Sequence, residues 1–204
     1  MKKAVILLLV LAISPFVGYT QSIENVDYIS PYHNGLAAIK KDGQWAFINN
    51  IGDVVVNYRA DLVLTKFSDD SYPVFYDNRC LIEQKKNGIS YFGYIDTIGK
   101  TIIEPKFLNA ANFKNGNALA LELIKESLSK KSALGKDIVY YKYFEVIIDS
   151  NGDVKHYLNP SGVNLVLDRK YLKVPPKVTS KRISDNLYAV RNQNKKWTII
   201  HVKN

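Results

Sequence analysis

Short apolar stretches in which aromatic rings alternate with smaller residues recur along the chain, each closed by a turn. In Trp45-Ala46-Phe47-Ile48 and again in Phe92-Gly93-Tyr94-Ile95, the aromatic rings sit two positions apart. That spacing puts Trp45 with Phe47, and Phe92 with Tyr94, on one face of an extended strand. Each stretch runs into Asn49-Asn50-Ile51-Gly52 or Asp96-Thr97-Ile98-Gly99 and then a second apolar run, Val54-Val55-Val56 or Thr101-Ile102-Ile103. A third turn of the same kind is Asp149-Ser150-Asn151-Gly152-Asp153. These turns fit a type I turn closed by a left-handed glycine. Upstream, Asp42-Gly43 separates 36–40 from 45–48 and is a strong hairpin signal, because glycine accepts positive φ without a Cβ clash. Gln193-Asn194-Lys195 is expected to play that part in a last copy, 185–200, which stops before its second turn. Strands of their own open the copies at Asn34-Gly35-Leu36-Ala37-Ala38-Ile39, Asn78-Arg79-Cys80-Leu81-Ile82 and Asn115-Gly116-Asn117-Ala118-Leu119.

The unit is therefore strand, turn, strand, turn, strand, in copies at about 29–66, 67–107, 108–157 and 183–204. One hairpin cannot bury an aromatic face alone, so the units must pack on one another. The expected fold is all-β: antiparallel hairpin and meander repeats stacked into a curved sheet, an open barrel or a short solenoid. Residues 21–204 form the single repeat domain.

Tyr32-His33-Asn34-Gly35-Leu36-Ala37-Ala38-Ile39, Gly43-Gln44-Trp45-Ala46-Phe47-Ile48-Asn49 and the run from Gly93-Tyr94-Ile95-Asp96 through Glu104-Pro105-Lys106-Phe107 together resemble the WG-containing repeat family of bacteria. The pattern is strong in the first half and degenerate afterwards. The glycine of the Trp-Gly pair is Ala46 in the first copy and Thr198 in the last, and Phe92 replaces the tryptophan in the second. The resemblance implies a β-hairpin repeat fold, and it brings no catalytic residues.

Two segments break the period. Residues 122–137 are charged and carry Leu123, Ile124, Leu128 and Leu134 at loosely helical spacing, which suggests a short helix or a hairpin tip. The run 138–148 after it is rich in β-branched and aromatic residues and is expected to be a long strand paired with the one ending near Leu121. Farther on, Val174-Pro175-Pro176-Lys177 is an extended connector, since proline excludes a central strand.

Residues 1–20 read as a signal peptide: Met1-Lys2-Lys3, an apolar run over 4–17, then Gly18-Tyr19-Thr20 with small residues suited to cleavage after Thr20. The apolar run is shorter than the roughly 20 residues a spanning helix needs. The mature chain is thus expected to be exported to the periplasm, cell surface or medium and not to be integral to the membrane. The full sequence has 28 basic and 19 acidic residues, a net charge of +9, and loses two lysines with the leader. On an exported protein, that balance favours anionic envelope polymers or membrane surfaces over nucleic acid. Cys80 is the single cysteine, so no intramolecular disulfide forms, and its strand context marks a buried thiol.

No catalytic, cofactor-binding or metal-binding constellation is spelled out. The run 149–153 has oxygen ligands at alternate positions, but a calcium loop of the EF-hand type would need Gly where Val154 stands and Glu where Pro160 stands. His33, His156 and His201 are far apart and lack neighbouring ligands. What remains is tyrosine: Tyr72, Tyr76, Tyr140, Tyr141 and Tyr143, with Lys142 among them, form the candidate binding surface. The expectation is a non-catalytic binding module, either a protein-interaction scaffold using loops 69–78 and 122–137, or a binder of glycan or anionic envelope polymer.

Overall fold

The computed structural model describes residues 22–131, 137–192 and 194–202. The leader 1–20 lies outside the described residues. Among them every regular element is a strand, in five separate antiparallel sheets with no closed barrel.

Unit one is a four-stranded sheet: β1 Tyr28–Ile29, β2 Ala37–Lys41, β3 Gln44–Ile48 and β4 Val54–Arg59. A small hairpin follows, β5 Thr65–Lys66 and β6 Ser71–Tyr72. Unit two is β7 Cys80–Lys86, β8 Ile89–Ile95 and β9 Thr101–Phe107, extended at the β7 edge by a bridge from Leu62 to Ile82. Unit three comprises β10 Asn109–Ala110, β11 Asn117–Lys131, β12 Asp137–Asp149 and β13 Val154–Tyr157, and β14 Val163–Leu165 adds to the outer part of β12. Unit four is β15 Lys181–Arg182, β16 Leu187–Arg191 and β17 Trp197–His201.

Turn chemistry makes these elements. Asp42-Gly43 and Asn87-Gly88 both have positive φ at their two residues, the conformation that matches the twist of the strands they join. In the second turn of each unit, the first residue does the organising. Asn49, Asp96 and Asp149 each donate a backbone N–H to the carbonyl four residues on, all at 2.9 Å. Their Oδ1 atoms accept the N–H groups of the residues two and four on, at 2.9–3.1 Å. The run 149–153 is therefore a hairpin turn whose carboxylate is committed to its own backbone.

The last copy differs from expectation. The β16–β17 connection has this second geometry instead of the Asp-Gly type: Asn192 N–H reaches Lys196 O, Lys196 N–H reaches Asn192 Oδ1, both at 2.9 Å, and Lys195 is the left-handed residue in place of glycine. Of the two expectations for the insertion, a short helix or a hairpin tip, its described residues take the hairpin form, which corrects the helix. Leu123 and Ile124 lie in β11 opposite Tyr143 and Lys142, because the β-branched and aromatic run of β12 supplies a full cross-strand partner that helical spacing cannot match. Leu134 lies outside the described residues.

The core sits between units rather than within them. Trp45, Phe47 and Val56 of unit one share a cluster with Leu62, Val74, Phe75, Cys80, Ile82 and Ile95. Phe92, Tyr94 and Ile103 of unit two share the next with Ala110, Phe113, Ala118, Ala120, Val146 and Ile148. Leu119 and Ile147 of unit three share a third with Tyr188, Val190, Ile200 and Val202. Units one to three thus each present a forward face to a follower, and units two to four each a backward face to a predecessor. One aromatic pair recurs at this contact: Phe47 meets Phe75 edge-on at 4.6 Å, and Tyr94 meets Phe113 edge-on at 4.7 Å. Polar contacts step along the stack as well, from Asn34 Nδ2 to Phe75 O, from Gly116 N to Asp77 Oδ2, and from Arg182 Nη2 to Asn117 O.

Candidate binding surfaces

The six candidate residues fall into two separated groups. Tyr72 is a core residue, stacked on Phe67 at 4.5 Å. Tyr76 is half-buried with its ring against the edge of His33. The middle of the loop 69–78 that carries them is interior, with 72–75 buried, while Asp69, Asp70, Ser71, Asp77 and Asn78 are exposed. Tyr140, Tyr141, Lys142 and Tyr143 stand together on the outer part of β12, where alternation splits them into Tyr140 with Lys142 on one face and Tyr141 with Tyr143 on the other.

On the first of those faces, Lys142 Nζ lies 5.5 Å from the Tyr140 ring centre and 3.6 Å from Glu126 Oε2. A hydrogen bond to Glu126 raises the Tyr140 phenol above its ordinary value, and one to Glu122 does the same for Tyr157. On the other face Tyr143 packs with Leu123, Leu165, Leu167, Leu172 and Tyr91 over Ile89, Leu108 and Leu121, and this burial raises its phenol. The long β11–β12 hairpin therefore builds a satellite core outside the stack.

That satellite core holds the connector between units three and four. Leu165, Leu167, Leu172 and Val178 point into it, and Asn109 Nδ2 ties Pro176 O at 2.7 Å. The residues between them face solvent: Val166 is 62% exposed, Tyr171 65% and Val174 73%. Arg169, Lys170, Lys173 and Lys177 interleave with these, all exposed, against the single acidic residue Asp168. None of the four is in an ion pair among the described residues. Exposed apolar side chains thus stand among cations that have no ion pair among the described residues, on a segment anchored by the satellite core.

Two clefts accompany the stack. The first, about 610 Å³, is lined by Arg59, Ala60, Asp61, Leu62, Glu83 and Lys85. Arg59 there is bidentate to Asp61 at 2.6 and 2.7 Å, and Glu83 accepts from Ser90 Oγ at 2.5 Å. The second, about 600 Å³, lies between the loop 158–163 and the backward side of unit four. Beside it is a residue that the pattern did not single out. Glu145 is buried, and its carboxylate accepts the N–H and hydroxyl of both Thr179 and Ser180. By turn register, Glu145 occupies the position of Trp45 and Phe92, four residues before the organising Asp or Asn. Its partner Ser180 directly precedes β15, as Ala110 closes β10 beneath Phe92. The third junction has replaced an apolar contact by a carboxylate capped with four donors.

Among the described residues, no group of three or more His, Cys, Asp or Glu is placed to hold a metal ion. No helix there is long and apolar enough to cross a membrane.

Comparison with family models matches the WG containing repeat over residues 25–45 and 92–121. The two matches run from β1 to Trp45 and from Phe92 to Leu121, so each spans strands described above. Over these residues the chain is similar to the WG containing repeat. Comparisons with curated proteins and with solved structures give no match.

Proposed function

We propose that the chain is an exported, non-catalytic binding module, in which the stack of repeats is the support and the connector 166–177 is the contact surface. The observation that carries this reading is the row of exposed Val166, Tyr171 and Val174 among Arg169, Lys170, Lys173 and Lys177. Exposed apolar groups cost hydration unless a partner covers them, and four cations against one carboxylate select an anionic partner. Arginine and lysine supply the long-range attraction, and the Tyr171 ring adds flat apolar area at small entropic cost. An anionic envelope polymer, with charge repeated along a chain, matches a surface whose cations are strung along a connector.

Retention on immobilised polygalacturonate, with neutral dextran as the control, tests this. The protein is expected to be held at low salt, to elute by about 0.5 M NaCl as the charges are screened, and to pass through dextran. The double variant Lys170→Glu and Lys173→Glu, at exposed positions that leave the fold intact, is expected to lose most of the retention. Equal retention on dextran, or elution unchanged in the double variant, would overturn the assignment.

A further inference from the structure

The repeat register exposes a second surface, far in sequence from the connector. In units one to three the forward-face positions are Trp45 and Phe47, Phe92 and Tyr94, then Glu145 and Ile147, all buried against a follower. In unit four the same two positions are Trp197 and Ile199, which are 44% and 65% exposed. The edge of the sheet is open there as well. β3, β8 and β12 each have a third strand beside them, β4, β9 and β13, whereas β17 pairs among the described residues with β16 alone.

Charge marks what belongs on this face. Lys181 Nζ lies 5.2 Å and Arg191 Cζ 5.1 Å from the Trp197 ring centre, and neither is in an ion pair among the described residues. A second copy of this chain is a poor occupant. Two-fold pairing of β17 with itself would bring four cations onto one shared face, and head-to-tail stacking would need Ala37, Ile39 and Ala46 of unit one, which are already buried.

We propose that β17 accepts an extended acidic segment of another protein as an added antiparallel strand. The free N–H and C=O groups of β17 supply main-chain hydrogen bonds, and alternate side chains of the segment lie over Trp197 and Ile199. Two of the existing units give the residue class. Val56 lies opposite Phe47 and Ile103 opposite Tyr94, whereas His156 lies opposite Ile147, so the two apolar precedents place a β-branched residue opposite Ile199. In a regular antiparallel pair, without the bulges that place Arg59 three residues after Val56 and Phe107 four after Ile103, the residue two places later stands opposite Trp197 on the same face, where a carboxylate meets Lys181 and Arg191. The recognised pattern is Val or Ile, any residue, then Asp or Glu.

Fluorescence anisotropy of a labelled peptide, Ser-Thr-Val-Thr-Glu-Thr-Ser, titrated with the full protein tests this. Saturable binding is expected, weakened about tenfold or more when Glu is replaced by Lys, as the loss of a charge-assisted contact requires. Arg191→Glu is expected to reverse that preference, and methylating alternate peptide nitrogens on the edge facing β17 to abolish binding. Lys170→Glu with Lys173→Glu leaves this binding unchanged, which separates it from the polymer surface. Equal binding of the N-methylated peptide, indifference to Arg191→Glu, or a dimer in sedimentation that excludes the peptide would overturn the proposal.

Discussion

Trp45 and Trp197 occupy the same place in the repeat and share a cation over the ring, Lys40 at 5.6 Å for the first and Arg191 at 5.1 Å for the second. One is 8% exposed and the other 44%. The side chain is the same and the strand is the same, so the difference lies in the follower. Unit two lays Leu62, Val74 and Phe75 into the cluster that holds Trp45, and nothing in the described residues does this for Trp197. A repeat position is thus a core position only by virtue of its neighbour, as expected for a quasi-one-dimensional stack.

The sharpest way to break this comparison is to truncate both rings. Trp45→Ala is expected to cost about 3–5 kcal/mol in urea unfolding, from lost burial and the cavity left behind. Trp197→Ala is expected to stay within about 0.5 kcal/mol, in keeping with a surface site. Next in size is the polar junction. Glu145→Ala strands four donors of Thr179 and Ser180 and is expected to cost about 2–4 kcal/mol. Because each unit touches only its neighbours, hydrogen exchange should rise first in β16 and β17 while β2 and β3 stay protected.

Glycine substitutions sharpen the same contrast. Gly52 and Gly152 both have positive φ, so alanine costs about 1 kcal/mol at either for backbone strain alone. A Cβ at Gly52 meets open space, whereas at Gly152 it falls 2.7 Å from Ile103 Cγ2 of the preceding unit. Gly152→Ala is therefore expected to cost about 2–3 kcal/mol, and calorimetric midpoints of the two variants compare them directly.

The last effect concerns pH. Burial in the first junction pushes the Cys80 thiol from 9.0 up to about 12. Its raised value favours the neutral folded form, so the contribution is complete below pH 9 and is lost as pH rises from 9 towards 12, by about 1.4 kcal/mol per unit. Buried Tyr94 titrates in the same direction, so the difference between the parent and Cys80→Ala isolates the thiol. That variant should show a shallower loss of stability above pH 9.

Much of the fold was legible because hairpin turns are local chemistry. Asp42-Gly43, the turns ending at Gly52, Gly99 and Gly152, and the aromatic faces of β3 and β8 all follow from residues within a few positions of one another. Asn87-Gly88 carries the same signal as Asp42-Gly43 and went unread beside the stronger aromatic run after it. The insertion misled because leucine spacing is compatible with a helix until the facing strand, Tyr140 to Ile148, is laid against it. The candidate surfaces were less legible. Tyrosine content points equally to core and to surface, and Tyr72 proved to be the former. The Glu145 contact depends on partners 34 and 35 residues away, which no local pattern announces.

The central claim, that a follower buries the forward face of units one to three and that the Trp197 face has no follower among the described residues, is tested most directly by the two tryptophans one at a time. Emission and acrylamide quenching of Trp197→Phe, which leaves Trp45, should be blue-shifted and resistant to quenching. Trp45→Phe, which leaves Trp197, should be red-shifted and readily quenched. Equal protection of both rings in the folded protein would contradict the account.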